Sequence, residues 1–151
     1  MNCVIVCVGT DKICGDSLGP MVGRLLRHRY AVPCPVYGVE GQTVNGVNLE
    51  RFKTFLDAHY AGVPVIAVDA ALGEESEVGE IRYRLGGVQA GGALGRKNAT
   101  VGALAVLGVV GVKSEDALGT LLETPFALVE RLAERIARRL ADVLLDWERV
   151  C

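Results

Sequence analysis

The sequence predicts a three-layer α/β/α domain, doubly wound around a mostly parallel sheet that carries one antiparallel edge strand. Three observations point there. Short, wholly apolar runs alternate with amphipathic stretches of helical period, as in βαβ units. Those runs are rich in Val and Ala with few aromatics, which suits strands buried on both faces. Half of the 151 residues are apolar and 19 are glycine, enough for one substantial core and short for two, so residues 1–151 read as a single domain.

The elements follow in order. Residues 4–8 form an apolar strand that ends at Gly9. Leu18, Met21, Val22, Leu25 and Leu26 recur at helical spacing and predict a helix over 17–30. Pro33 and Pro35 punctuate the connection to a short strand at 36–39. Asn48 reads as the N-cap of a second helix, with Val47 and Phe52 as a hydrophobic staple and an end near Gly62. A third strand at 63–68 delivers Asp69. Residues 80–85 alternate Ile81, Tyr83 and Leu85 with Arg82 and Arg84, the pattern of an edge strand with one wet face. A glycine-rich loop over 86–98 leads to a strand at 101–110, and Ser114 is placed to cap a short helix ending at Leu122. Thr124 and Pro125 read as N-cap and N1 of a long helix to Trp147. Its apolar stripe runs from Val129 through Ile136 and Val143 to Trp147, and its wet face offers Glu134–Arg138 and Arg138–Asp142 pairs at i,i+4.

Several classes of function are disfavoured. The net charge is −2 with no block of one sign, so neither nucleic acid nor an anionic membrane is an expected partner. No run approaches a membrane span, and the N-terminus reads as a strand rather than a signal peptide, which places the chain in the cytoplasm. The five cysteines show no zinc spacing and are expected to be free thiols; only Cys14 lies in a loop of interest. There is no GxGxxG, P-loop or GxSxG segment, and His28 and His59 fall on wet helical faces.

Ligands of open α/β sheets bind outside the carboxyl ends of the strands. Two acids are expected there: Asp16 in the loop after the first strand, and Asp69 directly after the third. Two neighbouring carboxylates cannot both ionise cheaply, so such a pair can share a proton, work as acid and base on a water, or hold a divalent metal ion. Asp16 also stands where a helix N-cap is favoured, and Asp69 where a side chain can bond the next turn.

Residues 6–11 (Val-Cys-Val-Gly-Thr-Asp) and 15–20 (Gly-Asp-Ser-Leu-Gly-Pro) resemble the opening of YyaC-like sporulation proteins, relatives of the germination (spore) protease. Three later segments are similar too: Val36-Tyr37-Gly38, residues 68–73 (Val-Asp-Ala-Ala-Leu-Gly) with 78–81, and the glycine-rich loop before Val101-Gly102. The similarity covers nearly the whole chain. More distantly the first loop resembles that of hydrogenase maturation endopeptidases, which share a phosphorylase/hydrolase-like fold. The resemblance implies that Asp16 matches the metal-facing carboxylate of those enzymes and a proposed catalytic aspartate of the spore protease, and that Asp69 matches the second acid of each. A histidine completes the metal site of the hydrogenase enzymes, and none follows His59 here. The spore protease is also a larger chain with a propeptide.

The expectation is therefore a sporulation-associated, aspartate-dependent peptidase acting on a protein or peptide. Asp16 and Asp69 activate water, and the same two residues hold any divalent metal. Thr10, Asp11 and Ser17 form a supporting polar shell, and Gly91, Gly92, Gly95 and Asn98 lie in the loop that positions the substrate. The alternative is a non-catalytic binding or regulatory protein on a spore-protease-like scaffold. The edge strand at 80–85 offers a place for a homodimer or a bound peptide.

Overall fold

The computed structural model describes residues 3–90 and 99–150. Within them the sheet runs β2-β1-β3-β7-β4. Strands β1 (Val4–Cys7), β2 (Val36–Tyr37), β3 (Val65–Gly73) and β7 (Leu104–Val112) are mutually parallel, and β4 (Ile81–Leu85) is the antiparallel edge. A two-stranded ribbon, β5 (Val88–Gln89) with β6 (Thr100–Val101), stands apart from it. Helices α1 (Leu18–Arg24), α3 (Ala117–Glu123) and α4 (Phe126–Val150) pack on one face through Leu18, Val22, Leu26, Leu121, Leu132 and Ile136. Helix α2 (Leu49–His59) and the ribbon cover the other, with Leu49, Leu56, Val88 and Val101 against Val4, Val6 and Ala67. The three-layer, mostly parallel architecture with an antiparallel edge is thus as predicted. No helix of the described residues is long and apolar enough to cross a membrane.

The chain winds from β1 to β2 on one side, then returns to β3 on the other side of β1. The strand order therefore reverses at β1 and β3, where open α/β sheets leave a crevice at their carboxyl ends. The first loop closes tightly on that point. A Cβ on Gly19 would lie 2.2 Å from the Val8 carbonyl oxygen, so only glycine lets α1 pack this close to the end of β1. Gly38 at φ +88° brings the chain after β2 against Cys7 in the same way.

Local details depart from expectation. The first helix is α-helical only to Arg24 and continues as a π turn, Leu25–Arg29, with the Tyr30 N–H bonding back to the Leu25 carbonyl. Asn48 precedes α2, but its side chain ties the preceding loop, accepting from the Asn45 N–H and donating to the Thr43 carbonyl. Val47 is 97 % exposed, so no staple forms. Strand β3 does not stop at 68. It runs on to Gly73 because β7 offers nine residues to pair with, although a register irregularity falls between Ala71 and Leu72. The predicted strand at 101–110 divides at Gly102, whose φ of +109° turns the chain from the ribbon into β7.

Asp116, not Ser114, caps α3 by accepting from the Gly119 N–H, while the Ser114 hydroxyl bonds Thr120. Thr124 donates to the Thr120 carbonyl, and the Pro125 carbonyl takes the first amides of α4, so neither residue holds its predicted cap position. On α4, Val143 and Trp147 are exposed although Ala141 and Leu144 beside them are buried, so the buried stripe runs through Leu144 rather than Val143, and Glu134 pairs with Arg29 rather than Arg138.

Gly19→Ala gives a direct check of the tight loop. A solvent-facing helical glycine gains about 1 kcal/mol on becoming alanine. Here the new methyl meets the Val8 carbonyl, so we expect a lower denaturation midpoint with an unchanged slope, a loss of at least ~2 kcal/mol. A stabilised variant would mean that the close approach of α1 to β1 is wrong.

Candidate functional site

Strand β1 pairs with β3 only as far as Cys7 and Val68, with a last bond from the Val8 N–H to the Val68 carbonyl. Asp69 is the next residue. It lies inside β3, not at its end as predicted, but on the stretch that β1 no longer covers. Its partner across β7 is Leu107, and Arg82 of β4 stands opposite Leu107 in turn. Residues paired in this way point to one face, so Asp69 and Arg82 share the α2 side of the sheet. Arg84, level with Ala105 and Ala67, points the same way.

That face is covered at one end by α2 and left open at the other. The opening is a cleft of about 680 Å³ whose floor is Asp69, Ala71 and Leu107 and whose rim includes Arg82, Arg84 and Lys113. Gln89, Thr100 and Ser114 add polar edges. The alternation in β4 was expected to turn its arginines to open water. They face the cleft instead, and sequence reasoning missed them, along with Lys113, as site residues. The signal was available in one form only: two arginines at i,i+2 beside a buried strand.

Asp69 is 9 % exposed, and its Oδ1 accepts the Ala70 N–H at 2.8 Å. Burial raises its pKa well above the usual carboxylate range, and the nearby Asp16 charge raises it further. The Ala70 N–H and the Arg84 guanidinium oppose the rise without cancelling it. Asp16 sits in the short 3₁₀ turn Gly15–Ser17, where it does not cap a helix. Burial lifts its pKa to about 6, partly offset by the Thr10 backbone N–H. Asp69 thus feels the charge of Asp16, but the two acids do not both line one cleft as expected. Asp69 lines the cleft, and Asp16 is not among its lining residues.

The expected polar shell is engaged locally. Thr10 Oγ1 accepts the Lys12 N–H, the Asp11 carboxylate accepts the Gly41 N–H at 3.0 Å, and the Ser17 hydroxyl donates to the Cys14 carbonyl. These bonds shape the loop that presents Asp16. Gly91, Gly92, Gly95 and Asn98 lie outside the described residues. Among the described residues no three His, Cys, Asp or Glu side chains cluster closely enough to hold a metal ion. Two aspartates alone do not make up a tight divalent site, so the donor set does not fit a resident metal. His28 and His59 are exposed, and the latter's Nδ1 bonds the Phe55 carbonyl. Burial pushes the Cys7 and Cys34 thiols up, the latter to about 12, and Cys14 packs beside the core as an apolar filler.

Raised carboxyl pKa values make folding take up protons. The stability they leave intact below pH ~4 is lost as the pH climbs through about 6 and beyond, because the folded chain must then ionise buried acids that ionise freely when unfolded. Asp16→Asn and Asp69→Asn are therefore expected to raise the melting temperature at pH 8 by several degrees and to match the parent near pH 4. For Asp16 the gain corresponds to on the order of 2 kcal/mol. Thermal melts across that range decide it: variants less stable than the parent at pH 8 would contradict the assigned burial.

Comparison with other proteins places this geometry. A family model described as protein of unknown function DUF1256 matches residues 1–139. The uncharacterized protein YyaC of Bacillus subtilis (strain 168) is 33 % identical over 138 residues, which span 91 % of this chain and 67 % of that protein. Among solved structures, the [NiFe] hydrogenase maturation protease HycI from Thermococcus kodakarensis KOD1 is similar with a TM-score of 0.60 and 20 % identity, over 95 % of this chain and 92 % of that one. Peptidyl-tRNA hydrolase from Acinetobacter baumannii gives 0.60 and 14 %, over 96 % and 89 %. At these identities the structural likeness is one of fold, and it carries the α/β architecture predicted from the sequence. The family match and the YyaC relationship are of another kind, since they run through both aspartate-bearing segments: the chain belongs to the DUF1256 family.

Proposed function

We propose that the protein is a sporulation-associated peptidase in which Asp69 and Asp16 act as a carboxyl dyad. The observation that carries the reading is the Asp69 carboxyl: buried, raised in pKa by burial and by a second carboxyl, and open to a cleft. Structural acids on a protein surface need none of these features, whereas acid–base catalysis at neutral pH needs them together.

The chemistry follows from the two environments. In the proposed dyad Asp69, the more deeply buried acid and the one raised by its neighbour's charge, holds the proton, and Asp16, with its pKa of about 6, is the carboxylate. The Asp69 O–H can donate to the carbonyl oxygen of a bound peptide, and the Asp16 carboxylate is the matching base for an attacking water. Water adds to the carbonyl carbon, its proton passes to Asp16, and the proton of Asp69 goes to the carbonyl oxygen. Collapse of the tetrahedral adduct then breaks the C–N bond: the amine leaves with the proton taken up by Asp16, and one hydroxyl proton of the adduct returns to Asp69, which leaves the carboxylic acid product and restores the dyad. Two neighbours in fold are named as a maturation protease and a peptidyl-tRNA hydrolase, both bond-cleaving enzymes, and this supports a scaffold suited to such chemistry. The resemblance of residues 15–20 and 68–73 to YyaC-like sporulation proteins, and through them to the germination protease, supports the placement in sporulation.

A competing reading has one observation in its favour. Asp69 Oδ1 already accepts a main-chain N–H, as the acid of a non-catalytic binding protein would.

The two separate on one experiment. The protein is incubated with a pooled peptide library and new amino termini are counted. The dyad predicts cleavage that falls at least about 100-fold in Asp69→Asn and in Asp16→Asn, in variants that remain folded and melt no lower than the parent. Cleavage that survives Asp69→Asn, or none with any peptide, would remove the peptidase reading in favour of a binding scaffold.

A further inference from the structure

The cations of the cleft are not equivalent. Arg82 is neutralised by an ion pair with Glu77. Arg84 spends one N–H on the Gly87 carbonyl at 3.0 Å and among the described residues forms no ion pair, although it stands near enough to Asp69 to lower that residue's pKa. Lys113 lines the same cleft, and among the described residues its ammonium has no hydrogen bond or ion pair. With Asp69 protonated, the cleft therefore presents two uncompensated positive charges around an acid, in a chain of net charge −2.

Their positions are informative. Arg84 is level with Ala67 of β3, two residues before Asp69, whereas Lys113 follows Val112, which pairs with Gly73, four residues after it. At roughly 3.3 Å per residue the two levels lie about 20 Å apart along the strand. That is the reach of about six residues of extended chain. Between those levels the lining holds Asp69, Arg82 with its Glu77 partner, and the apolar Leu107.

We propose that the cleft binds an extended peptide bearing carboxylates, one held at Arg84 and one at Lys113, on either side of the bond presented to Asp69. Only that register rests on the peptidase reading; recognition of the carboxylates stands on the unpaired cations alone. Arginine suits the role because its fork meets a carboxylate through two N–H groups. A nucleic acid fits less well. It needs a longer track of phosphate contacts and bases stacked on aromatic rings, and the described lining of this cleft has no aromatic side chain.

The test uses the whole Asp69→Asn chain, so that binding is read without turnover. The probes are fluorescein-labelled decapeptides with two glutamates roughly six residues apart, the same peptides with glutamine, each as free acid and as C-terminal amide, and a single-stranded RNA decamer. At low salt the glutamate peptide is expected to bind at least about tenfold more tightly than the glutamine peptide. The advantage should shrink as salt is added. Arg84→Gln and Lys113→Gln should each remove most of it, while Arg84→Lys keeps part. A further loss when the glutamate peptide is amidated identifies the chain terminus as one of the two carboxylates; a loss on Glu→Gln with no effect of amidation identifies side chains.

Equal binding of the glutamate and glutamine peptides, no binding of either, undiminished binding in Arg84→Gln and Lys113→Gln, or tighter binding of the RNA would each overturn the proposal. Binding of the glutamate peptide with no cleavage by the parent protein upholds it and counts against the peptidase instead. Equally fast cleavage of glutamine peptides does the reverse.

Discussion

A carboxyl group held inside a sheet beside a second carboxyl, with no ion-pair partner among the described residues, opposes folding at neutral pH, and the architecture around Asp69 can be understood as what tolerates it. Strand β1 ends one residue short of it, which leaves a gap in the sheet on that side. Strand β7 continues past it and stays paired with β3 on the other, through the register irregularity between Ala71 and Leu72. The Ala70 amide then removes part of the desolvation penalty at Oδ1. What remains is a proton held above its usual range, the one on which the proposed peptidase chemistry rests.

The rest of the chain supplies rigidity for this arrangement. The face that carries α1 and α4 is a dry, continuous core from Leu18 to Leu144, in which Val129, Leu132 and Ile136 are fully enclosed. Glycine at 19 lets α1 press on the end of β1, and this fixes the loop that carries Asp16. The other face is thinner. Helix α2 covers β1 and β2 through Leu49, Leu56 and an aromatic group of Tyr37, Phe52, Phe55 and Tyr60, with the two tyrosine hydroxyls 2.6 Å apart. Where that cover stops, the cleft begins. Site and scaffold are thus divided between the two sides of one sheet, and the dyad sits at the seam.

Much of this was legible in the sequence because burial on both faces leaves a coarse signal. Apolar runs at 4–8 and 63–68, and the helical stripe through Ile136, needed no tertiary information. Asp16 and Asp69 stood out because polar residues directly after such runs fall at the crevice by topology. Other features depend on what the chain meets in space. The alternation of β4 is the same whether its polar face meets water or a cleft, so Arg82 and Arg84 were taken as solvated. Caps were misassigned at Asn48, Ser114 and Thr124 because each side chain had a competing backbone partner nearby. On α4 the buried stripe runs through Leu144 rather than Val143 and leaves Trp147 exposed, which its own periodicity does not contain.

The central claim concerns the protonation of two side chains, and carbon-13 NMR of the carboxyl carbons in aspartate-labelled protein reads it directly, with Asp16→Asn and Asp69→Asn used for assignment. The account predicts an Asp16 midpoint of about 6, an Asp69 that stays protonated above it, and a fall of the Asp69 midpoint when Asp16 becomes asparagine. If both carboxyls titrate near pH 4 and neither responds to loss of the other, the two acids are ordinary surface groups and the dyad does not exist.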